Sequence, residues 1–349
     1  MGSPLRDVAH DLAPPSIAPQ HSRGPRPLPL FVELLRQVTA RDPELGQKAL
    51  EGLRRYQTAP AVPCRQERPV VHRSNGTSLR DCGGSGPALV LVPSLINPPT
   101  ILDLDPACSL ADALAVRHRV FLLDWGPAAE RQDLSLDGHV AERLVPLLHA
   151  VGPASLIGYC LGGTLALAAA STCATVQAVV TLASPYRFDA YEDAARAQLL
   201  RLWKASRAAA EQLGFLPMEV LQAAFWQIDP ARLVAKFARF ADSDPASPEA
   251  LRFVAMEEWA NSGEPLPLPA ARQMVEQLFG ADVPLAPLPS CPMLHVTAAG
   301  DRIVPAATAA AGEQLSSPSG HVGMIVGRDA QRTLHGPLLS WLEGAASAR

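Results

Sequence analysis

From Pro87 onward the chain alternates short apolar runs with amphipathic segments. "PALVLVPS", "HRVFLLDWG", "ASLIGYC" and "VQAVVTLASP" are apolar runs of strand length, while "SLADALAVR", "LSLDGHVAERLVPLLHAV" and "LGGTLALAAAS" carry helical spacing. Strands alternating with helices predict parallel βαβ units, and hence an α/β fold with a doubly wound, mostly parallel sheet. The alternation stops near Asp189. Residues 189–289 read as mostly helical, hold Trp203, Trp226 and Trp259, and end near the proline-rich "EPLPLP". Strand spacing returns at "CPMLHVTAAGD". The intervening segment is therefore expected as a helical cap inserted over the C-terminal edge of the sheet. Ahead of the sheet, "LFVELLRQVTARDPELGQKALEGLRRYQ" has helical spacing, divided into two helices by Pro43. The first 29 residues are proline-rich and aperiodic and read as disordered. The predicted division is thus 1–29, a disordered opening; 30–60, N-terminal helices; 61–188 and 290–349, the two parts of the α/β core; and 189–289, the cap.

The longest apolar stretch, Leu165 to Ala183, is interrupted by Ser171, Thr172, Thr175 and Gln177, and its second part is β-branched. A core helix followed by a core strand accounts for it better than a membrane span. Composition narrows the functional classes. The formal net charge of −4, from 30 basic and 34 acidic residues without long runs of either sign, speaks against a nucleic-acid surface. The cysteines, Cys64, Cys82, Cys108, Cys160, Cys173 and Cys291, have neither paired spacing nor histidines beside them, so no zinc site or other metal is expected. With no secretory signal at the start, the expected compartment is the reducing cytoplasm.

The chemistry is carried by Gly158-Tyr-Cys160-Leu-Gly162, which has the form of a G-x-S-x-G nucleophile elbow with cysteine in place of serine. At such an elbow the nucleophile sits at strained backbone angles between a strand and a helix. Side chains at the flanking positions would strike neighbouring backbone, and the free N–H groups of the helix N-terminus favour a thiolate or an oxyanion. An elbow calls for an acid and then a histidine later in the chain. Asp301 follows the "CPMLHVTAAGD" strand, and His321 lies beyond it in "SGHVGMIVG". His295 falls inside a strand, His335 lies in the last helix, and the remaining histidines precede the elbow. Asp124 ends a strand but also precedes the elbow, and reads as structural. Two oxyanion donors are expected: the backbone N–H of Leu161, and one from the loop after "PALVLVPS", near Ile96.

The stretches "LVPSLINPPTILDL", "VFLLDWG", "GYCLGGT", "MEEWANSGEPLP", "GDRIVP" and "SGHVGMIVG", spread from about Pro87 to Trp341, resemble those of polyhydroxyalkanoate synthases. In length the chain is most similar to the class III catalytic subunits. The resemblance implies an α/β-hydrolase fold with a cap, catalytic roles for Cys160, His321 and Asp301, and polymerisation of (R)-3-hydroxyacyl-CoA, such as 3-hydroxybutyryl-CoA, with release of CoA and no cofactor. It also implies the growing polyester and the granule surface as partners, together with a second synthase subunit and a homodimer. A thiolate attacks a thioester readily, and the acyl-enzyme it forms is again a thioester, able to pass its acyl group to an alcohol. A thioesterase, an esterase or a polyester depolymerase using the same three residues is the alternative reading.

Overall fold

The computed structural model of the chain describes residues 23–60, 62 and 65–347. Most of the proline-rich opening, residues 1–22, lies outside them. The main sheet has strands β1 (Val70–Ser74), β2 (Thr77–Gly83), β3 (Ala88–Val92), β4 (Arg119–Asp124), β5 (Ala154–Tyr159) and β6 (Val176–Leu182). After a two-stranded ribbon of β7 (Phe215–Leu216) and β8 (Leu266–Pro267), it is completed by β9 (Met293–Ala298) and β10 (Glu313–Ser317). Its order is β1-β2-β4-β3-β5-β6-β9-β10. The strands from β4 to β10 run parallel, and β1 and β2 are antiparallel.

Sheet and helices meet in two apolar layers. Alternate residues of one strand point to opposite faces, so Val90 and Val92 join one layer while Leu89 and Leu91 join the other. Both faces are covered, which is why the central strands read as unbroken apolar runs rather than alternating ones. The segment from Leu165 to Ala183 resolves into helix and strand as its sequence suggests, and no described helix is long and apolar enough to cross a membrane.

Two elements of the main sheet were not foreseen in the pattern. The β1–β2 hairpin turns at Asn75-Gly76, where φ is +45° and +85°. β10 is an edge strand made of "EQLSS", largely exposed and without an apolar face.

The N-terminal helices α1 (Leu28–Val38) and α2 (Pro43–Thr58) do not cover the sheet. The insertion carries α4 (Asp193–Leu213), α5 (Met218–Ile228), α6 (Pro230–Ala241) and α7 (Pro248–Asn261), numbered after the elbow helix α3 (Leu161–Thr172). Phe31, Leu35, Leu53 and Tyr56 from the N-terminal pair bury themselves among Trp226, Val234, Phe237 and Val254 of the insertion. α2 lies so close to α6 that a Cβ on Gly52 would sit 1.9 Å from the Phe237 carbonyl oxygen. Ahead of α1, Pro25 is buried and the Arg23 guanidinium pairs with Glu258 at 2.8 Å.

Candidate active site

Cys160 stands between β5 and α3 with φ +54° and ψ −130°, a backbone region that side chains rarely occupy. Its N–H is held by the Leu182 carbonyl at 2.9 Å, and its own carbonyl accepts from the Gly163 N–H at 2.9 Å. The glycines around it are required by close approach. A Cβ on Gly158 would lie 2.3 Å from the Gly163 Cα, and one on Gly162 would lie 2.3 Å from the Val92 carbonyl oxygen. Gly163 has the same constraint, since its Cβ would meet the Ser184 hydroxyl at 2.0 Å. Leu161 opens the helix immediately after the thiol.

The two later residues arrive beside the cysteine from the loops after β9 and β10. The His321 Nδ1 meets Asp301 Oδ2 at 2.6 Å, with the carboxylate side chain fully buried and the imidazole nearly so. The other carboxylate oxygen, Asp301 Oδ1, accepts from the N–H groups of Ile303 at 2.8 Å and Val304 at 2.9 Å. That accounts for the turn "GDRIVP": the backbone fixes one oxygen and leaves the other for the imidazole. The ring also lies within electrostatic reach of Cys160. Burial pulls the imidazole's pKa down, but the charge on Cys160 and the hydrogen bond to Asp301 outweigh it and hold it raised, to about 10. Tyr159, buried behind the elbow, donates from its hydroxyl to the His321 carbonyl at 3.3 Å. Its ring lies 5.1 Å from the imidazole.

Ile96 belongs to the loop that follows β3. Its N–H reaches the Ser94 hydroxyl at 3.4 Å, longer than an ordinary hydrogen bond. Its carbonyl accepts from the Glu264 N–H at 2.8 Å. The Trp259 indole donates to the Pro98 carbonyl at 2.9 Å, and the Glu264 carboxylate accepts from the Ala128 N–H at 3.0 Å. A Cβ on Gly263 would lie 2.5 Å from the Met218 sulfur and 3.0 Å from the Ile96 carbonyl. The stretch "MEEWANSGEPLP" is thus the buckle that ties the insertion to this loop.

Between the two regions lies a cavity of about 610 Å³ onto which Cys160, Asp301 and His321 open, along with Ser94 and Ile96. Its apolar wall is supplied by Phe225, Trp226, Phe240, Phe253, Met256 and Trp259. One face of α6 adds Arg232, Lys236 and Arg239, spaced four and three residues apart. Lys236 pairs with the buried Glu257 at 2.6 Å, and Arg302 pairs with Asp229 at 3.1 Å. Helical spacing around Phe237 signals this face in sequence only once the helix is known to lie over the thiol.

The other candidates lie elsewhere. His295 is buried in β9, with Nδ1 2.8 Å from the Thr181 hydroxyl. His335 is buried at the end of the turn Gln331–His335 that runs into the last helix, Gly336–Ser347, and Asp124 pairs with Arg80 at 2.9 Å. Cys82 and Cys108 are buried, and that burial pushes each thiol up to about 12. Among the described residues no group of three or more His, Cys, Asp or Glu side chains is placed to hold a metal ion.

Known proteins resemble the chain over most of its length. The model of the alpha/beta hydrolase family matches residues 89–338. The poly(3-hydroxyalkanoate) polymerase subunit PhaC of Allochromatium vinosum is 26% identical over 289 residues, which covers 73% of this chain and 80% of that one. The subunit of the same name from a Synechocystis strain is 26% identical over 296 residues, covering 73% and 77%. Among solved structures, a thermophilic esterase from Thermogutta terrifontis superposes with a TM-score of 0.50 at 17% identity, over 80% of this chain and 99% of that one, a likeness of fold. The resemblance to polyhydroxyalkanoate synthases read from the motifs is therefore matched by relatives that span most of the chain, and the chain belongs to the alpha/beta hydrolase family.

Proposed function

We infer that the protein is an acyltransferase of the polyhydroxyalkanoate synthase kind, polymerising (R)-3-hydroxyacyl-CoA through a thioester on Cys160. The observation that carries this reading is the Cys160–His321–Asp301 arrangement, opening on a cavity walled by aromatic side chains. The Cys160 thiol gives its proton to the His321 imidazole as its sulfur attacks the thioester carbonyl, and the oxyanion is held by the N–H groups of Leu161 and Ile96. Collapse of that intermediate expels the CoA thiolate, which takes its proton from the His321 imidazolium. The neutral imidazole then accepts the proton of an incoming 3-hydroxyl as that oxygen attacks the acyl-enzyme, the C–S bond breaks and Cys160 leaves as the thiolate. Asp301 keeps the ring in the required tautomer. An apolar enclosure favours the hydroxyl over water as acceptor. In this reading the exposed Arg232 and Arg239 stand about 10 Å apart along α6 and meet the phosphates of CoA. The polyester, its granule surface, a second synthase subunit and a cytoplasmic setting follow from the same reading.

The test is a paired assay with (R)-3-hydroxybutyryl-CoA, following thiol release and product identity with and without a companion subunit. Insoluble polyester accompanying CoA release is the expected result. Free hydroxy acid matching all the CoA under every condition would make the protein a thioesterase using the same three residues.

A further inference from the structure

Arg131 is 3% exposed, and among the described residues no carboxylate stands within ion-pair distance of it. A buried, unpaired guanidinium is costly, and burial lowers its pKa to about 10. Its donors are instead spent on neutral acceptors. Nη2 donates to the Leu95 carbonyl at 3.3 Å, Nε to the Gly126 carbonyl at 3.3 Å, and Nη1 faces His139 Nε2 at 3.3 Å. His139 is fully buried and its Nδ1 meets the Ser135 carbonyl at 2.7 Å, which places the proton there and leaves Nε2 as the acceptor. Trp125 closes the cluster, its indole donating to the Pro93 carbonyl at 3.0 Å and its ring standing edge-on to His139 at 5.7 Å.

The Leu95 carbonyl and the Ile96 N–H belong to one peptide unit. In a planar trans peptide those two groups point in opposite directions. A cation that holds the carbonyl toward the core thereby turns the N–H away from it, toward the cavity lined by Ser94, Ile96 and Cys160. The Glu264 N–H, bonded to the next carbonyl at 2.8 Å, keeps the following peptide from rotating. A hydrogen bond received at the carbonyl also polarises the same unit and strengthens its N–H as a donor. We propose that Arg131 is a positioning residue for acyl transfer, fixing the Leu95–Ile96 peptide so that the Ile96 N–H faces the oxyanion formed above Cys160. This rests on the reading of Ile96 as an oxyanion donor.

Two rates measured on the full chain separate this role from general support. Acylation of Cys160 by p-nitrophenyl acetate develops an oxyanion; alkylation by iodoacetamide does not. Arg131→Gln is expected to slow acylation by about 10²-fold while leaving alkylation within about twofold of wild type. Ile96→Pro, which removes the N–H, is expected to do the same, and the double variant is expected to be no slower than Ile96→Pro alone. Arg131→Lys, which keeps the charge with fewer donors, is expected to recover part of the loss, and it decides by the same two rates if Arg131→Gln does not fold. Wild-type acylation in the Arg131 variants beside a slow Ile96→Pro overturns the proposal and leaves the donor in place. Acylation and alkylation falling together in the Arg131 variants also overturn it. Wild-type acylation in Ile96→Pro removes the reading of Ile96 itself.

Discussion

Cys160, Asp301 and His321 stand on the α/β layer, whereas the aromatic wall and the cationic face of the cavity come from the helices inserted between β6 and β9. The two regions are held together by different kinds of contact. In the sheet, neighbouring strands pair in register, and the elbow glycines are set by backbone a few residues away or on the adjacent strand. In the insertion, α6 leans on α2 from far away in sequence, through Gly52 against Phe237 and Lys48 paired with Asp242 at 3.4 Å. The reacting groups are thus carried by the region with the most regular packing. The region that shapes the substrate space depends on long-range contacts with the N-terminal helices. Variants in the two regions are expected to fail differently: in the rate of the chemical step for one, in stability or substrate affinity for the other.

The largest effect belongs to the elbow. Cys160→Ala is expected to reduce acyl transfer to background, and an intact mass after incubation with acyl-CoA is expected to show the wild-type adduct on Cys160. An adduct on Cys173 or Cys291 instead would sink the assignment. His321→Ala is expected to lower turnover by about 10²–10⁴-fold. His295→Ala, which loses a bond to Thr181 and none to Asp301 or His321, is expected to leave the chemical step intact in folded protein. Asp301→Asn is expected to retain some thiol reactivity while turnover falls.

A pair of glycine substitutions then sets the two regions against each other. Gly52→Ala and Gly162→Ala each drive a Cβ into a carbonyl oxygen, at 1.9 Å and 2.3 Å respectively. Each is expected to cost about 1–3 kcal/mol of stability. Gly52→Ala should keep its rate per folded molecule, because the strain falls on the α2–α6 contact. Gly162→Ala should lose rate as well, because the strain displaces the elbow from the β3 end that leads into the Ile96 loop. Denaturation midpoints together with active-site titration measure both. Equal rate loss in the two variants would remove the distinction between the regions.

The sheet was legible because its central strands are buried on both faces, and the elbow because Gly158 and Gly162 leave no alternative to glycine at such close approach. Asp301 and His321 were legible by chain order, and the structure places them 2.6 Å apart. The β1–β2 hairpin carried a readable signal that went unused: Asn-Gly is the dipeptide that accepts positive φ at both central turn positions. β10 carried none, since an exposed edge strand of "EQLSS" has no apolar face to reveal it. The union of α1 and α2 with the insertion was also out of reach, because each helix shows only that it has an apolar face, and not which distant helix covers it. Arg131 was hidden for a related reason. A single arginine in a polar stretch reads as surface, and only the fold puts it at the Leu95 carbonyl.

A smaller effect concerns charge at the thiol. The raised titration of His321, near pH 10, depends on the charge of Cys160 as well as on Asp301. A folded-state pKa above the unfolded value of 6.5 contributes stability that is fully present below pH 6.5 and is lost as pH rises through about 10. In Cys160→Ala, burial opposes Asp301 without help from the thiol. The imidazole is then expected to titrate at lower pH, and its share of stability to disappear earlier on the alkaline side. Histidine NMR titration of the wild type and the variant reads this directly, and an unchanged His321 midpoint would mean that the thiol and the ring are not coupled.

The smallest effect tests the insertion's cationic face. Arg232→Gln and Arg239→Gln each remove an exposed charge on α6 from the cavity lining and leave Lys236 with Glu257. If these side chains meet the phosphates of CoA, each variant is expected to raise KM for 3-hydroxybutyryl-CoA by about two- to fivefold with kcat unchanged, the weight of a solvent-exposed ion pair. The difference should shrink at high salt, because exposed charges are screened. A 3-hydroxybutyryl-pantetheine thioester lacks the phosphates but presents the same acyl group to Cys160, and its KM is expected not to respond to either variant. A KM that rises equally for both thioesters would mean that the arginines shape the cavity rather than read the charge of the substrate. A fall in kcat would place α6 in the chemical step, and the separation between the two regions would then be lost.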